Sequence, residues 1–206
     1  MYNTDMDWAV EGSALGAAPA RAVQHPNAGL LDPLWRGSAC DGLSGLYAAI
    51  NGVRLAIAHK HVMTGPETEQ LIRSALRFLD GRISLQQCLA NGLRTQLWRR
   101  LVFAVCEAAS QRLGVRVMAE ELLVERLGSP SAAFSALEGA LLRWRLPLVL
   151  RRGGLYTVVT AVTPKSLVFH DSGGACWISK RLCSVPGDQT LLRHAIYPSS
   201  FMALSV

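Results

Sequence analysis

Nowhere in these 206 residues does an apolar run approach the roughly 18 consecutive positions that a membrane-spanning helix requires. No membrane partner is therefore expected. Metal-ligand spacings are missing as well: there is no CxxC pair and no HExxH, so no metal site is expected. The five cysteines, Cys40, Cys88, Cys106, Cys176 and Cys183, are an odd number, which argues against a disulfide framework. No glycine-rich loop leads from a strand into a helix. Arg152-Gly153-Gly154 and Ser172-Gly173-Gly174 read as hairpin turns, so no phosphate cradle and no cofactor is expected. The opening stretch MYNTDMDWAVEGSALGAAP has no basic residue ahead of its apolar ones, so a secretory signal is not expected and a cytoplasmic location is the default. Charge is also scarce, at 17% against 50% hydrophobic residues, which excludes disorder as the main state.

What is present is enough apolar sequence for one domain with its own core. The net charge is +6, and most of the basic residues are arginine. Residues 1–34 are punctuated by Gly, Pro, Ala and Asn without a period, which predicts an irregular N-terminal arm. A single domain is expected over 35–206. Its helical part spans 35–145. Leu43, Leu46, Tyr47, Ile50, Val53 and Ile57 recur at helical spacing. Gly45 and Gly52 weaken that helix by about 1 kcal/mol each relative to Ala, so tertiary packing must hold it and the glycines must allow close approach. Thr64-Gly65-Pro66-Glu67 and Ser84-Leu85-Gln86-Gln87 are capping boxes. A further helix is expected over about 93–113, another from Met118 to Leu127, and a last one from Ser129-Pro130 to about Arg143. Cys88 and Cys106 fall in apolar helical patterns and read as inert core thiols.

The texture changes at Pro147. Leu148–Leu150, Tyr156–Val162 and Leu167–His170 are β-rich runs separated by short turns, with Cys176–Ile178 and Phe201–Val206 as further strands. Short turns imply antiparallel pairing. The expected class is α+β, with a helical half followed by an antiparallel sheet over 146–206.

A Gly-flanked, thiol-bearing turn opening an apolar helix, followed by a sheet half, resembles the papain-like cysteine peptidase fold. The closest texture is that of the bacteriocin-processing, double-glycine-type peptidases. Gly154-Leu155-Tyr156-Thr157-Val158-Val159 resembles their His strand, and Val168-Phe169-His170-Asp171-Ser172-Gly173 their Asp strand. The resemblance implies a nucleophile at the helix N-terminus, where the helix dipole and an imidazole stabilise a thiolate. Two registers compete for it, Cys40 and Ser44, and Asp171 fits the orienting position. Leu155 stands where the family has its His, and a leucine takes no proton. No Gln lies a few residues upstream of either nucleophile position. These departures imply a degenerate site.

Of the histidines, His170 should point to the face opposite Asp171. His59 and His61 lie about 24 Å along the helix. His25 is in the arm, from which it could reach Cys40, and His194 has no readable position. Cys40 also reads as a spectator thiol, Ser44 as a helix cap, and Asp171 as a turn cap. The expected function is a non-catalytic peptidase-like module that binds a peptide or protein partner in the cleft. The first alternative is an active cysteine peptidase or thiol acyl-transferase using Cys40. The second is a basic nucleic-acid-binding protein, built on Arg94, Arg99 and Arg100 with Arg143, Arg145, Arg151 and Arg152. Glu107, Glu120, Glu121 and Glu125 are near enough to offset that charge, and no RNA- or DNA-binding signature accompanies it.

Overall fold

The computed structural model describes residues 22–33, 42–124, 128–151, 155–170, 177–186 and 194–206. The elements run in the order β1 (Val23–Gln24), α1 (Ser44–Ile57), α2 (Gly65–Leu79), α3 (Leu85–Asn91), α4 (Thr95–Leu113), β2 (Met118–Glu121), α5 (Pro130–Leu142), β3 (Leu146–Arg151), β4 (Leu155–Val162), β5 (Ser166–His170), β6 (Trp177–Ser179), β7 (Cys183–Ser184) and β8 (His194–Ser205). The main sheet has the order β2-β8-β3-β4-β5-β6, and every pair along it is antiparallel. Helices therefore precede most of the sheet, as the change of texture at Pro147 predicts.

Local chemistry sets the helix starts. Thr64 accepts from the Glu67 N–H while the Glu67 carboxylate accepts from the Thr64 N–H, and Ser84 and Gln87 repeat the exchange. Ser129 caps α5 ahead of Pro130. Gly114 ends α4 in the left-handed conformation.

Strand alternation divides the core. Leu148, Tyr156, Val158, Met202 and Leu204 face α1, α2 and α4. Their neighbours Val149, Val159 and Phe201 face the opposite way, against Ala133, Leu137 and Leu141 of α5. The sheet is thus covered on both faces.

Two expectations are corrected. Residues 118–121 form a strand, not the start of a helix over 118–127, because Met118–Glu121 pair with Ser205–Met202 along the edge of β8. Residues 125–127 lie outside the described residues. A four-residue segment takes its conformation from the edge it covers more than from its own periodicity. The second correction concerns the arm. Residues 1–21 lie outside the described residues, but 22–33 are docked. Val23 and Gln24 pair with Val162 and Ala161 of β4, and His25 and Asn27 are buried.

Helix α1 lies close on the sheet, as its glycines predict. A Cβ at Gly52 would stand 2.9 Å from the methyl ends of Leu148 and Leu204. One at Gly45 would meet the Trp98 ring at 2.8 Å and the Tyr156 ring at 3.0 Å. Leucine methyls can swing aside, whereas stacked rings cannot. Gly52→Ala is therefore expected to be near neutral in a urea-denaturation midpoint, its strain offset by about 1 kcal/mol of helix propensity. Gly45→Ala is expected to lose about 1–3 kcal/mol by overpacking.

Candidate functional site

The junction between the N-terminus of α1 and the start of β4 brings together two positions singled out in the sequence. Ser44 is the first residue of α1, and its Oγ accepts a hydrogen bond from the Tyr156 N–H at 3.3 Å. Leu155, half-buried, immediately precedes Tyr156 and opens β4. Cys40 and Asp171 lie outside the described residues, as do Cys176 and Arg152.

Aromatic packing braces this junction. Trp98 stacks on Tyr156 with ring centroids 4.2 Å apart and planes 24° from parallel. The Trp98 indole N–H donates to the Gly45 carbonyl at 3.0 Å, and the Tyr156 hydroxyl donates to the Leu93 carbonyl at 2.8 Å. Burial pushes the Tyr156 phenol up to about 12, so it stays a neutral donor at physiological pH. Ser44 does not cap its helix by its side chain. It is a buried tie between helix and strand. Sequence reasoning missed this pair, because Trp98 stands between Leu97 and two arginines with no motif around it, and Tyr156 sits in a β-rich run where an aromatic is ordinary core.

The histidines take positions of their own. His170 pairs with Val158 and so shares the sheet face covered by α1. It is 8% exposed, and its Nε2 has no hydrogen-bond partner among the described residues. Burial lowers its pKa to about 4, helped by the Arg54 guanidinium and opposed by Asp32. Arg54 lies ten residues, or about 15 Å, along α1 from Ser44. His170 therefore sits toward the far end of the helix. His25 is not a free arm residue: it is 5% exposed, its N–H donates to the Thr160 carbonyl, and its Nδ1 accepts from the Asn27 N–H. His61 is bound to Glu67 at 3.0 Å in the α2 cap. His59 accepts at Nδ1 from the Asn27 side chain. His194 opens β8 opposite Cys183.

The thiols Cys88 and Cys106 are buried, as expected, and burial pushes Cys106 up to about 12. The arginines are partly neutralised: Arg99 pairs with Glu121 and Arg145 with Glu120. Among the described residues no three His, Cys, Asp or Glu side chains gather as a metal site. No helix of the described residues is long and apolar enough to cross a membrane.

Comparison with protein-family models, curated proteins and solved structures finds no match for this chain.

Two stability measurements check this geometry. Ser44→Ala is expected to cost about 1 kcal/mol, the net worth of one hydrogen bond. Tyr156→Phe is expected to cost about 1–3 kcal/mol, because the Leu93 carbonyl is left without its donor. Equal midpoints for wild type and both variants would contradict the ties described.

The second check uses pH. The folded His170 has a pKa near 4, below the ordinary value of about 6.5 in an unfolded chain. Between those values the unfolded state holds more protons. The stability from a neutral His170 is therefore complete above pH of about 6.5 and is lost as pH falls toward 4, by about 3 kcal/mol at most. His170→Gln should flatten that part of the pH–stability curve.

Proposed function

We propose that this chain is a non-catalytic, papain-like module that binds a peptide or protein partner in the cleft at the α1–β4 junction. One observation carries this reading. Ser44, at the nucleophile position of one register, is buried and accepts from the amide of Tyr156, next to Leu155 at the position of the imidazole. A hydroxyl acts as a nucleophile when a base within hydrogen-bond reach takes its proton. Leu155, the residue at the imidazole position, is aliphatic and takes no proton. Helix–sheet packing holds this junction together, and that packing needs no catalytic group. Half-buried Leu155 supplies apolar surface for an extended peptide.

The other register, with Cys40 as nucleophile, makes the competing reading an active cysteine peptidase or acyl-transferase. Four histidines make contacts that leave Ser44 aside: His25 and His59 meet Asn27, His61 meets Glu67, and His170 lies by Arg54. Nucleic-acid binding has less support, since Arg99 and Arg145 already hold acidic partners.

Alkylation of Cys40 by iodoacetamide, followed by peptide mass spectrometry across pH with Cys40→Ser as control, separates the two readings. The expected rate is slow and titrates near the free-thiol value of about 8.5. A fast rate with a much lower apparent pKa would establish an activated thiolate and overturn the non-catalytic reading. For binding, a displayed random-peptide library is panned against the protein. Selected peptides are expected to lose at least tenfold in affinity with Leu155→Asp, read by calorimetry. Failure to select any peptide, or affinity indifferent to Leu155, would overturn the cleft.

A further inference from the structure

The segment 22–33 holds the C-terminal end of α1 through one side chain. Asn27 is 2% exposed. Its Nδ2 donates to the Leu55 carbonyl at 2.5 Å and the Ala56 carbonyl at 3.2 Å, and it also reaches His59 Nδ1 at 3.3 Å. These are carbonyls of the last helical turn, where few helical donors remain; that of Leu55 also accepts from the Ala58 N–H at 3.2 Å. The Asn27 backbone is positioned in turn by His25, whose Nδ1 accepts from the Asn27 N–H at 3.2 Å. Asn27 thus supplies only donors to this junction. His25 must present a bare Nδ1 to receive the Asn27 N–H.

An imidazolium has no acceptor. Protonation of His25 puts an N–H where the Asn27 N–H already points, and the hydrogen bond that orients Asn27 is lost. We propose that residues 22–33 are an acid-released strap over the end of α1, with His25 as its sensor.

Among the described residues no carboxylate is recorded against His25 to balance the added charge. His25 faces the Thr160 backbone on β4 and the Trp144 carbonyl beyond α5. The latter favours the charged form, but burial and His59 act against it, and the net shift is downward. Strand β4 carries no carboxylate, and Glu138, the one acid of α5, is the neighbour of Lys180. From α1 comes Arg54, whose guanidinium donates to the Asp32 carbonyl at 3.2 Å and interacts with the Asp32 charge. From β5 comes His170, facing the same Arg54. A proton on His170 adds a second positive charge beside Arg54, where Asp32 is the acid of the strap. Protonation at either end of the segment therefore works in the same direction, toward release.

Hydrogen exchange read by mass spectrometry tests the strap in the intact chain. Exchange is expressed as protection relative to the intrinsic rate at each pH. Between pH 7.5 and 5.5, protection over 23–30 is expected to fall severalfold, up to the roughly tenfold that one histidine can supply over this span, and to stay well below that of α4 and β8 at both pH values. His25→Gln retains an amide oxygen as acceptor and cannot charge, so it is expected to remove most of that pH dependence. Asn27→Ala is expected to expose 23–30 at pH 7.5 without acid. Protection over 23–30 that is unchanged at pH 5.5, or that is lost only together with α4 and β8, would overturn the proposal. So would an undiminished pH response in His25→Gln. If that variant does not fold, the wild-type profile and Asn27→Ala decide alone.

Discussion

The burial of α1 is the constraint on which the rest of this structure depends. Twelve of its fourteen residues are buried, so it has no solvent face of ordinary width. Such a helix needs a neighbour in every direction. The sheet provides one through Leu148 and Leu204, which approach to the bare Gly52. Helices α2 and α4 provide the flanks. Each end then raises the problem of backbone groups that a helix cannot pair by itself. The N-terminal end, where the unpaired groups are N–H, is instead tied to its neighbours: the Gly45 carbonyl takes the Trp98 indole as an extra donor, and Ser44 accepts from β4. At the C-terminal end Asn27 takes the carbonyls of Leu55 and Ala56. The stacked Trp98–Tyr156 pair and the docked strap are both consequences of placing one helix in the middle.

How far the sequence could be read follows from the range of each interaction. The capping boxes of α2 and α3 are complete within four residues, and both formed where Thr64–Glu67 and Ser84–Gln87 stand. Gly45 and Gly52 inside an apolar helix signalled close approach, because their propensity cost needs a packing reason. Strand β2 was not legible. Met118–Glu121 is too short to show a period, and its conformation follows from β8, more than 80 residues later. Strand β8 itself begins at His194 rather than at Phe201, where the apolar texture starts. The register shift between Leu148 and Leu150 lets β3 follow it through that irregular beginning. The role of Asn27 was out of reach for the same reason as β2: its partners Leu55 and Ala56 stand 28 and 29 residues away.

The candidate site was legible in outline and not in its chemistry. Ser44 and Leu155 are far apart in sequence, and the fold sets Ser44 against the residue that follows Leu155. Spacing could not tell whether Ser44 is a reacting group or a tie. That depends on what its oxygen meets, and it meets a strand amide inside a packed junction. Tyr156 and Trp98 decide the character of that junction, yet each looks like ordinary core in its own segment.

The two ends of α1 are therefore chemically unlike. Near Ser44, among the described residues, stands Tyr156, whose phenol is pushed up to about 12 and stays neutral across the physiological range. Near Arg54 and beyond stand His25, His59 and His170, and burial favours the neutral forms of His25 and His170. A thiol–imidazole pair works by placing its base at the positive end of a helix dipole, beside the nucleophile. Here those imidazoles collect at the opposite end, where the dipole is negative and an imidazolium is favoured in principle. Burial and the Arg54 charge outweigh that attraction for His170, and burial with His59 outweighs it for His25. The imidazoles described at this helix thus stand toward its C-terminal end, beside the segment proposed above as a strap.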